Sequence, residues 1–185
     1  TMRGKISDLQ NRCSLDEVES LVLDGLWWTV PSSVLRSPNL RILTITNNSA
    51  LALGLPFNIT RLESLRELTI EKCPNLLKIN QWGELRNLEK LIITGNARLA
   101  ELHFSTILLN LKTLTIQENP EINQIRGLEK MPNLVSLKAS HMNKLTALRG
   151  GQVYPELFFI EIAGNPLLRE ITGFSNLPAL QSPSI

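Results

Sequence analysis

Apolar residues return along this chain with a period of 23. Leu65, Leu88, Leu111, Leu134, Leu157 and Leu180 each open the same pattern: apolar at +3 and +5, small or polar at +8, apolar at +11 and +14. In one copy the set is Leu88, Leu91, Ile93, Asn96, Leu99 and Leu102; in the next it is Leu111, Leu114, Ile116, Asn119, Ile122 and Ile125. A fixed period of this length marks a solenoid, in which each coil buries its apolar side only against its neighbours. From +2 to +6 the residues alternate, as in Glu67-Leu68-Thr69-Ile70-Glu71, which is the period of a short half-buried strand. One strand per coil at constant register predicts a parallel sheet with neighbours about 4.8 Å apart.

The +8 position holds Asn48, Cys73, Asn96, Asn119, Met142 and Asn165. A buried amide there can serve backbone groups left without partners as the chain turns out of the strand. Cys73 is a workable small substitute, whereas Met142 predicts a looser or rearranged turn in its coil. Apolar residues three and six positions before each opening leucine, among them Leu85, Leu108 and Tyr154, then Val34, Ile59, Trp82, Leu128 and Phe174, are expected to seal the return side. Ser105 and Gly151 interrupt that second series, and Gly150-Gly151 predicts a distorted, mobile loop ahead of Leu157.

The period implies one domain. Residues 1–17 read as a lead-in or partial cap, and 18–185 as about seven coils, the last truncated at Ile185, where further chain or a partner is expected to cover the end. The predicted fold is an α/β-type solenoid: a horseshoe with a concave parallel sheet and mostly irregular or short helical convex segments. The net charge of +2, with basic residues dispersed along the chain, argues against nucleic acid as a partner. No apolar run approaches the ~20 residues that span a bilayer, so no direct membrane contact is expected of this segment.

The string Leu88-Glu-Lys-Leu91-Ile-Ile93-Thr-Gly-Asn96 resembles the leucine-rich repeat consensus LxxLxLxxN, and the likeness recurs over residues 18 to 185. The resemblance implies a recognition module without an active site, binding a protein or peptide on its concave sheet. Asn119-Pro-Glu-Ile-Asn-Gln-Ile125 and Asn165-Pro-Leu-Leu-Arg-Glu-Ile171 resemble repeats of animal receptor ectodomains, of the Toll-like and glycoprotein hormone receptor kinds. Glu71-Lys-Cys73-Pro-Asn-Leu76-Leu-Lys-Ile79 is closer to plant intracellular immune receptors. No cysteine-rich cap of the extracellular type accompanies Cys13.

Two sequons, Asn47-Asn-Ser49 and Asn58-Ile-Thr60, make Asn47 and Asn58 candidate glycosylation sites and favour an extracellular or cell-surface setting. The unpaired cysteines favour the alternative, a cytoplasmic scaffold or immune sensor. Cys13 and Cys73 belong to coils too far apart for the ~7 Å limit of a disulfide, and Cys73 is expected to sit buried among the +8 residues. With two histidines, no glycine-rich phosphate loop and no metal-spaced Cys/His set, no catalytic residue, metal or cofactor is assigned.

Alternation locates the ligand face at +2, +4 and +6. The candidate contacts are Ile42, Thr69, Glu71, Lys90, Ile92, Thr94, Thr115, Gln117, Lys138, Ser140, Phe159 and Glu161. Threonine suits any strand; the pointers to binding are the apolar Ile42, Ile92 and Phe159 on a solvated face, with Lys90, Lys138 and Glu161 available to orient a ligand by charge. Trp27 and Trp28 near the first coil are also of hot-spot type, although at least one of them is expected to pack over the open edge of the core.

Overall fold

The computed structural model describes residues 2–4, 17–25, 34, 37–52, 54–55, 59, 62–83 and 85–184. Its backbone is a parallel β-solenoid with two sheets. The larger contains β1 (Met2–Gly4), β2 (Ser20–Asp24), β3 (Ile42–Thr46), β4 (Glu67–Glu71), β6 (Lys90–Thr94), β8 (Thr113–Gln117), β10 (Ser136–Ser140), β12 (Phe159–Glu161) and β14 (Ser182–Ser184). These nine strands pair in that order. Register follows the period: Leu68, Leu91, Leu114, Leu137 and Ile160 stand side by side. A one-residue slip would turn this whole column outward, and burial forbids it. The lead-in contributes a strand of its own, with Met2 registered on Leu21.

The return segments differ from expectation. They form a second parallel sheet from β5 (Lys78–Ile79), β7 (Glu101–His103), β9 (Gln124–Arg126), β11 (Ala147–Arg149) and β13 (Glu170–Thr172). Among the described residues helical structure is confined to short stretches such as the 3-10 turn Leu128–Lys130. The reason lies at +14: Ile79, Leu102, Ile125 and Leu148 are buried, and the residues on either side face out. Once coils stack at strand spacing, such triplets pair laterally and satisfy backbone groups that a helix would otherwise have satisfied within itself.

The interior between the sheets is filled by the +3, +5, +11 and +14 residues together with the return-side series. Phe104 occupies the space that Ser105 leaves, stacked on Trp82 with ring centroids 4.8 Å apart. Trp82 Nε1 donates to the His103 carbonyl at 2.9 Å. The loop ahead of Leu157 is distorted, with Gln152 at φ 69, yet it is pinned. The buried Tyr154 hydroxyl accepts from Gly151 N–H at 2.9 Å and donates to the Leu128 carbonyl at 3.0 Å. Burial pushes that phenol up to about 12. Gly150 lies against Gly173 so closely that a Cβ would sit 2.6 Å from the Gly173 carbonyl oxygen.

The +8 amides act as a ladder. Asn119 Oδ1 accepts from the Asn96 N–H at 3.0 Å, and its Nδ2 donates to the carbonyls of Ile93 and Gln117 at 2.9 and 2.8 Å. Asn96 Oδ1 takes the Cys73 N–H at 3.0 Å in the same way. Cys73 is a free, buried thiol whose sulfur donates to the Glu71 carbonyl at 3.4 Å. Desolvation raises it to about 11 against a lowering by the Asn48 backbone hydrogen bond, so it stays protonated. The looser turn expected at Met142 is absent: its N–H still bonds to Asn165 Oδ1 at 2.9 Å and its side chain is fully buried. The thioether fills the space of the amide, and the neighbouring rungs hold the backbone course.

Candidate functional site

Every coil turns out of its strand through one left-handed residue at +7. Gly25, Asn47, Lys72, Gly95, Glu118, His141 and Gly164 have φ between 52 and 94. This reverses the chain in one step and sets the rim of the nine-stranded sheet. Four of the seven are not glycine, and in an L-residue that conformation costs about 1–2 kcal/mol. The constant geometry of the rim comes from the stack, not from the local residue.

The sheet brings the outward columns together as the alternation requires. At +2, Ile42, Glu67, Lys90, Thr113, Ser136 and Phe159 are registered neighbours, and at +4 so are Thr69, Ile92, Thr115, Lys138 and Glu161. Ile42 and Phe159 are 36% and 38% exposed, Ile92 is half-buried, and the threonines lie between them. Glu71, Thr94 and Gln117 continue the +6 column, half-buried. Ser140 does not serve as an accessible contact: it is fully buried and its hydroxyl has no hydrogen-bond partner. Its one-carbon side chain lies in register with the longer Gln117.

Lys90 and Lys138 are already matched on this face. Lys90 Nζ lies 3.3 Å from Glu67 Oε2, and Lys138 Nζ lies 2.9 Å from Glu161 Oε1, each pair bridging adjacent strands. Lys90, Lys138 and Glu161 were expected to orient a ligand by charge. The 4.8 Å strand spacing instead lets each lysine reach a carboxylate of this chain. The side chains of the Lys138–Glu161 pair are 30% and 22% exposed, so this second pair is the better shielded.

Asn47 is exposed at the rim, and its Nδ2 donates to Asp24 Oδ1 at 3.0 Å. Asn58, Trp27, Trp28 and Cys13 lie outside the described residues. Beyond β12 the last coils leave an apolar groove of about 420 Å³, lined by Ile160, Ile162, Ile171, Phe174, Leu177 and Leu180. Among the described residues no group of three or more His, Cys, Asp or Glu is gathered as a metal site, and no helix is long and apolar enough to cross a membrane.

Two features of the surface escape the alternation. One is a second, exposed ladder just before the opening leucine: Ser64, Asn87, Asn110 and Asn133 donate to the carbonyls of Pro38, Glu63, Arg86 and Leu109 at 2.7–2.9 Å. The recurrence of Asn at that position was its signal in the sequence. The other is the edge beside this ladder, charged in the early coils, where Arg66 pairs with Glu89, and apolar in the later ones.

No protein-family model matches the chain, and no curated protein does. Among solved structures the chain is similar to the leucine-rich repeat domain of the type III effector XopL. That match has a TM-score of 0.58 at 21% identity and covers 92% of this chain and 69% of that one. A leucine-rich repeat protein of Leptospira interrogans also matches, with a TM-score of 0.43 and 19% identity over 91% of this chain and 53% of that one. At such identity the XopL likeness concerns the fold: the solenoid is a leucine-rich repeat fold. Nothing in it is particular to receptor ectodomains.

Proposed function

We propose that this chain is a non-catalytic recognition module that binds a protein or peptide on its nine-stranded face. The observation that supports the reading is the composition of that face after pairing. With Lys90 and Lys138 matched to Glu67 and Glu161, what remains toward solvent, beside Glu71 and Gln117, is the apolar surface of Ile42, Ile92 and Phe159 set among threonines. Such a surface favours a partner with apolar anchors and hydroxyl or amide contacts over a polyanion, because hot spots form where apolar groups are desolvated and rim charges add little.

A random peptide library displayed on phage and selected on the immobilised chain tests this. Binders are expected to lose capture when Ile92, Lys138 and Phe159 are replaced together. Selected binders indifferent to that replacement would place recognition elsewhere.

For the setting of the module, the sequons at Asn47 and Asn58 support an extracellular or cell-surface receptor or adhesion protein. One observation favours the cytoplasmic alternative, a scaffold or immune sensor: Cys73 is a free thiol in the core, and such thiols persist in reducing compartments.

A further inference from the structure

The five-stranded sheet carries a groove of about 570 Å³ lined by three arginines, Arg126, Arg149 and Arg169. All three are exposed. One of them shows what the others lack. Arg149 reaches forward one coil to Glu170, its Nε donating to Oε1 at 3.2 Å and its Nη2 to Oε2 at 3.1 Å. Two parallel bonds of this kind are the preferred union of guanidinium and carboxylate. They hold the Glu170 carboxyl below its ordinary value.

Arg126 occupies the same position of the repeat one coil earlier. Glu170 stands 21 residues beyond Arg149, and the residue that stands in that relation to Arg126 is Ala147. Gln124, Ala147 and Glu170 are registered neighbours on β9, β11 and β13, so a methyl group lines the groove where the adjoining strands carry an amide and a carboxylate. With nothing to bind at 147, Arg126 turns back along its own strand: Nε and Nη2 both donate to Gln124 Oε1, at 2.9 and 2.5 Å. That acceptor is neutral, so the charge of Arg126 is left uncompensated. Arg169 likewise has no carboxylate partner among the described residues. Glu129, exposed, also lines the groove. With Arg149 and Glu170 matched, two guanidiniums face one carboxylate, and one positive charge is in surplus.

We infer that this groove is a carboxylate-binding site, in which Arg126 takes a carboxylate from a ligand as Arg149 takes Glu170, and Arg169 adds its charge. One surplus charge suits a monoanion better than a phosphoryl group carrying nearly two. The volume lies within the ~300–1,000 Å³ of ordinary ligand sites, more than one carboxylate fills. The group is therefore carried on a small molecule or on an acidic side chain of a peptide. Exposed ion pairs are individually weak, so a ligand held by this one anchor should have a dissociation constant on the order of millimolar. The inference stands independently of what the nine-stranded face binds.

Nuclear magnetic resonance of the Arg126 Nε–Hε group in the whole chain tests it. N-acetylglutamate α-amide represents the small molecule and a terminally blocked Gly-Gly-Glu-Gly-Gly peptide the longer source, with the matching glutamine compounds as controls. The Arg126 signal should move saturably with the glutamate compounds and respond about tenfold more weakly to the glutamine ones. Equal affinity for the two glutamate compounds assigns the free carboxylate, and tighter binding of the peptide assigns the peptide. Ala147→Glu supplies the carboxylate from within the chain and should abolish binding. Arg126→Gln, followed at the Arg169 Nε–Hε signal, should abolish it as well. Thermal melting of each variant shows that it folds. No saturable shift in the unaltered chain, an equal response to the glutamine compounds, tighter binding of inorganic phosphate, or binding retained in either folded variant overturns the inference.

Discussion

Replacing Asn119 tests how much of the stability of this solenoid comes from the amide ladder. Asn119 is fully buried and makes four hydrogen bonds: it accepts from Asn96 N–H and Asn96 Nδ2 at 3.0 and 3.1 Å, and donates to the carbonyls of Ile93 and Gln117 at 2.9 and 2.8 Å. Asn119→Leu keeps roughly the volume and removes all four. The buried Asn96 N–H then has no acceptor, at about 2 kcal/mol, and each carbonyl loses one donor, at about 1 kcal/mol. The expected loss is about 4 kcal/mol, against a total stability of about 5–15 kcal/mol for a domain. Asn119→Ala should lose somewhat more, because a cavity adds to the same deficit. Urea unfolding followed by far-UV circular dichroism gives the loss. Hydrogen exchange at Asn96 N–H shows whether the coils on either side have separated, since repeat arrays need not unfold in one step. An Asn119→Leu chain within about 1 kcal/mol of wild type would refute the reasoning, because it would mean that packing alone holds these turns.

Other substitutions probe the backbone and the buried acids. Gly150→Ala drives a Cβ to 2.6 Å from the Gly173 carbonyl and should cost about 1–3 kcal/mol in chemical denaturation; a neutral result would mean that the two coils can part there freely. Glu118→Gly, at φ 56, should stabilise by about 0.5 kcal/mol, the relief of left-handed strain less the extra backbone entropy of glycine, read as a higher midpoint in urea. Cys73 is raised from 9.0 to about 11 in the fold, so the folded chain holds a proton that the unfolded chain releases. Its contribution is complete below pH 9 and is lost as pH climbs through about 11, about 2–3 kcal/mol in all. A Cys73→Ala chain should therefore show a flatter fall in stability above pH 9, and equal slopes would sink the assignment. Secretory expression followed by glycosidase digestion should shift the mobility of the chain, and Asn47→Gln with Asn58→Gln should abolish the shift; no shift in the unaltered chain would remove the support for an extracellular setting.

The larger sheet and its faces were legible because the alternation Leu68, Ile70 and Leu91, Ile93 is repeated often enough to outweigh any single residue. The second sheet was not. Its strands are two or three residues long, and a triplet such as Glu101-Leu102-His103 gives no period to read. Only lateral pairing of Leu102 with Ile79 and Ile125 makes it a strand. Ser140 was misread for a related reason. Alternation gives the direction of a side chain from the sheet but not its height, and a serine next to Gln117 is buried though it points outward. The lysines at 90 and 138 looked available to a ligand because the carboxylates that neutralise them are a full coil away in sequence.

The sequence by itself determined the period, and with it the solenoid, its core columns, the +8 ladder and the outward columns of the nine-stranded face. Stacking identical units needs only that each present the same apolar set at the same step. Tertiary structure decided what depends on atoms brought together from different coils: the cross-strand ion pairs, the left-handed rim that Lys72, Glu118 and His141 adopt although glycine would suit it better, and the apolar edge from Leu109 to Phe159. A repeat fixes where each residue stands within its own coil. Which residues touch across coils, and which are left facing solvent, follows from side-chain length and charge at distances that only the packed stack supplies.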